Sequence, residues 1–341
     1  MQNPDMQNPD SFTEHNPLHL ICLEGMVLLG KKKKKWDPSI MASFWMIATL
    51  IASVAQTARN AMQSTLTASL GTIGAAQVRF LYGFPFSLLF LWAITTVTQS
   101  SVPDVDAQFL LYAVGGAVLQ IVGTVLMLAA MRLRSFAVAT AYLKTEPVLV
   151  ALASVFVLGE HLEGAAWGAI VIATLGVLVL SWKKPATEGE GSTASWASAC
   201  YGIGAGGCFA VAAVLFRGGI LSLESGAFYV RATTTLCWSL GIQSCLLMVF
   251  MVIWDRPAFV GSLRVWRHSL FAGFMGALAS QFWFIGFSLS SAANVRTLAL
   301  VEVVMAQIVS RGLFKQAIKA RDLLGMGLVV GGVGWLLILH H

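Results

Sequence analysis

Residues 135–158 read SFAVATAYLKTEPVLVALASVFVL, an apolar run interrupted only by Lys144-Thr-Glu-Pro147 and a few hydroxyls. About 20 apolar residues are enough for a helix to cross the hydrocarbon core of a bilayer. The run is therefore read as a membrane-spanning helix that carries two charges. Everything else follows from asking whether its surroundings have the same texture.

They do. Hydrophobic residues make up 57% of the 341 positions and charged residues only 11%, with a mean hydropathy of +0.75. A soluble domain carries about 25% charge, so too few polar groups exist here to form a water-facing shell. From position 39 onward, long apolar runs alternate with short polar breaks. The expected spans are 39–60, 73–98, 107–131, 135–158, 164–182, 195–216, 226–253, 268–289, 292–313 and 322–339. Lipid offers no partner to unpaired backbone groups, so spans of this length must be helices. The expected fold class is an all-α integral membrane protein of ten transmembrane helices. Gly-rich stretches such as Gly202-Ile-Gly-Ala-Gly-Gly207 lie inside spans and are read as seams of close helix packing, not as phosphate loops.

Residues 1–40 stand apart: MQNPD occurs twice, and five lysines run from Lys31 to Lys35. They are read as a disordered tail or an over-long gene start, with Met41 as the candidate initiator. The net charge of +6 is explained by cations that flank spans and set topology, so no nucleic-acid partner is expected. Cys22, Cys200, Cys208, Cys237 and Cys245 form no CxxC pair and no cluster with His. They are read as small packing residues, and no metal is expected.

The chain repeats itself. Gly74-Ala-Ala-Gln-Val-Arg79 aligns with Gly226-Ala-Phe-Tyr-Val-Arg231, and further on Glu146 aligns with Glu302, Ser154 with Ser310 and Gly176 with Gly332. The expected repeats are 41–183 and 195–339, five helices each. An odd number of helices makes the second copy enter the membrane upside down, as in many secondary carriers. Cations in the connections bear on orientation. Odd-numbered connections hold Arg132, Arg134, Lys183, Lys184, Arg256, Arg264, Arg267, Lys315, Lys319 and Arg321, whereas even-numbered ones hold only Arg217. By the positive-inside rule this places the odd connections in the cytoplasm and both termini outside, although the lysine run at 31–35 argues the reverse.

Ala139-Thr-Ala-Tyr-Leu-Lys-Thr-Glu-Pro-Val-Leu-Val-Ala-Leu-Ala-Ser-Val-Phe-Val-Leu-Gly-Glu160, followed by Trp167-Gly-Ala-Ile-Val-Ile-Ala-Thr-Leu-Gly-Val177, resembles the fourth and fifth helices of EamA-type members of the drug/metabolite transporter superfamily. Leu300-Val-Glu-Val-Val-Met305 and Leu324-Gly-Met-Gly-Leu-Val-Val-Gly-Gly332 echo it, and the likeness covers about residues 42–339. In the second copy Val303 stands in place of the proline and Lys315-Gln316 in place of Gly-Glu. Such carriers are also usually drawn with both ends in the cytoplasm, opposite to the count of loop cations. The resemblance implies export or exchange of amino acids or other small metabolites.

Inside the spans lie Arg59, Arg79, Lys144, Arg231, Arg296 and Arg311 against only Glu146 and Glu302. Each costs about 2.5–3.5 kcal/mol at the centre of a lipid-facing helix, so they must face protein or a water-filled cavity. Two readings stay open. In one, Glu146 and Glu302 bind protons or a cationic group, while Arg79, Arg231 and Arg296 clamp a carboxylate or phosphate, with Lys144 a further candidate substrate-binding residue. In the other, the charges are interhelical salt bridges. Tyr142, Gln281, Trp283, Asn60 and Gln56 are candidate cavity-lining residues, and Arg59 and Arg311, near span ends, are expected to snorkel to the interface. Pro147 is expected to kink its helix.

No HExxH or GxSxG motif and no ATP-binding motif occurs, so neither an enzyme nor a cofactor is expected. The expected function is secondary transport by alternating access in the plasma (cell inner) membrane. Its partners are a small-molecule solute, with proton coupling as one option, and membrane lipid; monomer and homodimer are both open. A channel-like facilitator is the alternative, and a membrane-embedded enzyme the weaker one.

Overall fold

The computed structural model describes residues 38–133, 143–181, 192–304 and 320–339. Among them every regular element is helical and there is no strand. The helices are α1 (Pro38–Thr98), α2 (Ala107–Leu133), α3 (Glu146–Leu158), α4 (Gly164–Ser181), α5 (Ser192–Ser222), α6 (Phe228–Trp254), α7 (Arg256–Arg264), α8 (Trp266–Leu289), α9 (Ala292–Leu298) and α10 (Ala320–Ile338), with a further helical stretch over 301–304. Residues 1–37, which include most of the expected tail, lie outside the described residues.

The distribution of polarity is that of a protein dissolved in lipid. Val97, Leu111 and Phe156 are 83%, 75% and 83% exposed, while Thr233, Gln77 and Gln243 are fully buried. In water the exposed apolar belt would be penalised; in a bilayer it is solvated, and the polar groups turn inward. Five helical segments are long and apolar enough to cross a membrane: Leu70–Thr98, Ala107–Leu133, Trp196–Ser222, Phe228–Trp254 and Ser269–Leu289. The remaining apolar helices, such as Gly164–Leu180, are shorter.

Three boundaries differ from expectation, each for a local reason. The expected break over 61–72 narrows to Gly71. Helix continues to Leu70, and the chain reverses at Gly71, whose backbone (φ 70°, ψ 178°) is open to glycine at little cost. The reversal is visible in Gln63, whose side-chain nitrogen donates to the Ala75 carbonyl at 3.0 Å. In a straight helix twelve residues would separate those two positions by about 18 Å. The polar break after Trp254 holds a nine-residue surface helix, α7, capped by Asp255 Oδ1, which accepts from the Ala258 amide.

The third difference lies within the expected spans 135–158 and 292–313. A turn at Lys144-Thr145 precedes α3, and a turn at Ala299-Leu300 follows α9. Glu146 thus opens α3, and Glu302 is the second residue of the helical stretch 301–304. Pro147, in the first turn of α3, accounts for the first break, since it has no amide to donate. The second has no proline; there the Glu302 and Val303 amides donate to Ala299 and Leu300 carbonyls, three residues back, in a tightened turn.

α2 packs on α5, α4 on α10, α3 on α5 and α9, and α6 on α8. The α4–α10 seam mates the two halves through glycine. A Cβ on Gly176 would lie 2.6 Å from the Val329 nitrogen and 2.8 Å from the Gly325 carbonyl, and one on Gly332 would lie 2.6 Å from the Ala173 nitrogen and 2.8 Å from the Ala169 carbonyl. Shifting 169, 173 and 176 by the same 156 positions that separate Glu146 from Glu302 gives 325, 329 and 332. Each half therefore presents the same patch to the other, which is the mark of a two-fold interface.

Candidate functional site

The two broken helices meet, and their charges cross between halves. Lys144 of the first half pairs with Glu302 Oε1 of the second. Arg296 Nε of the second lies 3.1 Å from Glu146 Oε1 of the first, a contact without the alignment of a hydrogen bond. All four side chains are between 10% and 17% exposed. The pairing is reciprocal for the carboxylates, which are repeat equivalents, but not for the cations: Lys144 is two residues before its half's glutamate and Arg296 six before. Glu146 sits in the first turn of α3, where the helix dipole favours negative charge.

Around these pairs lies a pocket lined by Gln56, Leu143, Lys144, Glu146, Pro147, Trp283, Arg296, Ala299, Leu300 and Glu302. Its empty volume, counted out to its open mouth, is about 270 Å³. Trp283 is its aromatic wall. The indole nitrogen donates to Gln56 Oε1 at 2.9 Å, which fixes the ring, and the Arg296 guanidinium lies over the ring 4.1 Å from its centre. That cation–π contact and the Glu146 carboxylate hold Arg296 between them.

The other sequence candidates go elsewhere. Gln281 donates to Thr233 Oγ1 at 2.8 Å, tying α8 to α6. Asn60 Oδ1 accepts two bonds from Arg59, at 3.2 and 2.7 Å. Arg79 donates to Thr124 Oγ1 at 2.9 Å. Arg231, its repeat equivalent, points instead to the Leu223 carbonyl at 3.5 Å. The pocket lining thus contains Glu146, Glu302, Arg296, Lys144 and Trp283 but not Gln281, Asn60, Arg79 or Arg231. Tyr142 lies outside the described residues, as does Arg311.

Two residues behave differently from their sequence reading. Arg59 does not snorkel: it is 2% exposed, because the arm that carries it runs another eleven residues to Leu70. Arg217 is not a free loop cation. It pairs with Glu160 at 2.6 Å and donates to the carbonyls of Phe287 and Ser290, so it closes the C-terminal end of α8, where the helix dipole favours a cation. The spacing of Arg217 and Glu160 in sequence gives no hint of this pairing.

Described residues that are all helical or connecting, an apolar exterior, two halves mated about a two-fold seam and charges meeting at their junction make the build of a membrane transporter. Residues 43–182 and again 196–338 match the EamA-like transporter family, and the chain belongs to that family, a group of multi-pass membrane transporters of the drug/metabolite type. No curated protein sequence matches it. Among solved structures, one titled "Crystal structure of protein" superposes with a TM-score of 0.61 at 15% identity, covering 88% of this chain and 96% of that one. At that identity the likeness concerns the fold alone.

Proposed function

We propose that the chain is a secondary carrier, an exporter or exchanger of a small charged metabolite such as an amino acid, in the plasma membrane. Ten crossings in two inverted five-helix repeats move the solute by alternating access. The observation that supports this is the crossed pair of ion bridges, Lys144–Glu302 and Arg296–Glu146, each joining the half-helix regions of opposite repeats at one pocket. Discontinuous helices meeting at a repeat interface are where carriers of this build bind solute.

The chemistry is exchange of partners. A carboxylate entering the pocket competes for Lys144 and Arg296, and an ammonium group competes for Glu146 and Glu302. Binding thus opens the bridges that join the halves, and the solute takes over their role as the link. Trp283 and Pro147 supply apolar walls that exclude water and strengthen every remaining charge contact. With the pocket empty the bridges reform, so the interior never holds these four charges unpaired.

Counterflow in proteoliposomes is the test, run on the wild-type chain with a panel of amino acids, organic anions and polyamines. Saturable exchange of one class is expected. Flux that rises linearly with concentration and shows no counterflow would mean a channel-like facilitator instead.

A further inference from the structure

One helical turn beyond Gln56 on α1, the interior holds two arginines that the pocket does not use. Arg59 and Arg79 are 2% and 3% exposed, and both lie against one spot on α8. A Cβ on Gly276 would be 3.3 Å from Arg59 Cδ and 3.4 Å from Arg79 Cγ. Their partners are neutral: the Asn60 amide oxygen for Arg59 and the Thr124 hydroxyl for Arg79. Arg59 Nη1 and Arg79 Nε are buried without any hydrogen-bond partner.

The charges do not balance. Arg59 is close enough to Arg296 and Glu302 to feel their charge, and Arg79 to feel that of Arg59 and Arg296. Four cations, Arg59, Arg79, Lys144 and Arg296, therefore share this interior with two carboxylates, both of which already face a cation. Among the described residues no carboxylate forms an ion pair with Arg59 or Arg79. A guanidinium stays protonated in proteins, and an unpaired buried charge is strongly unfavourable. Two of them side by side call for an anion.

We propose that Arg59 and Arg79 form an oxyanion site, adjacent to the ion-bridge pocket, for a carboxylate or phosphate. Two planar forks with free donors suit such a group, because guanidinium binds oxyanions through paired N–H bonds. Gly276, lacking a side chain, lets the stems of both arginines pack against α8 side by side. The site deepens the carrier reading by assigning the solute a net negative charge: one end engages the ion-bridge pocket while an acidic end reaches Arg59 and Arg79. Anion binding itself does not depend on transport.

The test is thermal unfolding of the purified full-length chain in detergent micelles at constant chloride, titrated with succinate or with inorganic phosphate. Saturable stabilisation by at least one is expected, with Arg59→Gln and Arg79→Gln each weakening it at least about tenfold, as loss of a charged hydrogen-bond donor implies. Arg256→Gln, on the exposed start of α7, is expected to bind like the wild type. Response to succinate alone assigns an organic acid, and response to phosphate alone a phosphorylated solute. Should the Gln variants not fold, Arg59→Lys and Arg79→Lys keep the charge but lose the fork, and weaker binding is again expected. No stabilisation of the wild type by either anion overturns the site, as does unchanged affinity in the variants. Exchange in proteoliposomes without anion binding would defeat this site and leave the carrier standing. Anion binding without exchange would do the opposite.

Discussion

Lys144 lies against Glu302 between the two halves, and the strength of that pairing can be measured. Lys144→Ala alone strands the carboxylate, and the expected loss of stability is about 3 kcal/mol, at the low end for a broken buried pair because the side chains are 15% and 17% exposed. Removing both partners is expected to recover part of it, with a coupling of at least about 1 kcal/mol in a double-mutant cycle read by unfolding in micelles. Additive effects would show that the two groups do not interact. At this scale the sequence was partly legible. Six cations against two acids in apolar spans identified the residues that had to be paired. Which cation met which acid was not legible, because both bridges join residues about 150 positions apart. Arg59 was misread through its helix end: a span ended at 60 makes it interfacial, and one carried on to Gly71 makes it buried.

Helix ends and seams carry the next level. Glycine at 176 and at 332 allows the α4 and α10 backbones to touch, and any side chain there would meet main-chain atoms that cannot yield. Gly176→Ala and Gly332→Ala are each expected to cost about 1–3 kcal/mol, in the range of overpacking a filled site. Because the seam is two-fold, the two losses are expected to be similar, as measured by the unfolding midpoint of each purified variant. A large loss from one and none from the other would mean that the halves do not mate equivalently. The five segments long enough to cross a membrane were readable in the sequence, because lipid imposes that length. The breaks at Lys144-Thr145 and Ala299-Leu300 were only half readable. Pro147 signals the first, but in the second Val303 stands at the equivalent position, and only the geometry of the meeting helices reveals the tightened turn.

The whole molecule is two copies of one unit, and their relation has consequences for topology. If the repeats are inverted and the odd connections cytoplasmic, cysteines placed in 183–191 and in 255–267 are expected to be labelled from one side of the membrane. Cysteines in 99–106 and 223–227 are then expected to be labelled from the other. An impermeant maleimide on intact cells distinguishes the sides, and labelling of all four from one face would contradict the inverted arrangement. The repeat was visible in the sequence through its scarce charged and glycine residues. The use of those residues to cross-link the halves needed three dimensions, since identity between the copies says nothing of which surfaces face each other.

The central claim is that solute passes by displacing the crossed bridges, and counterflow with Glu146→Gln and Glu302→Gln tests it most directly. Each variant keeps the shape of the side chain and removes the charge that the solute must contest. With equal amounts of folded, monodisperse protein in the vesicles, saturable exchange is predicted in the wild type and a loss of at least about tenfold in either variant. Exchange at the wild-type rate in both would show that the bridges merely fasten the halves together and that the solute travels by another route.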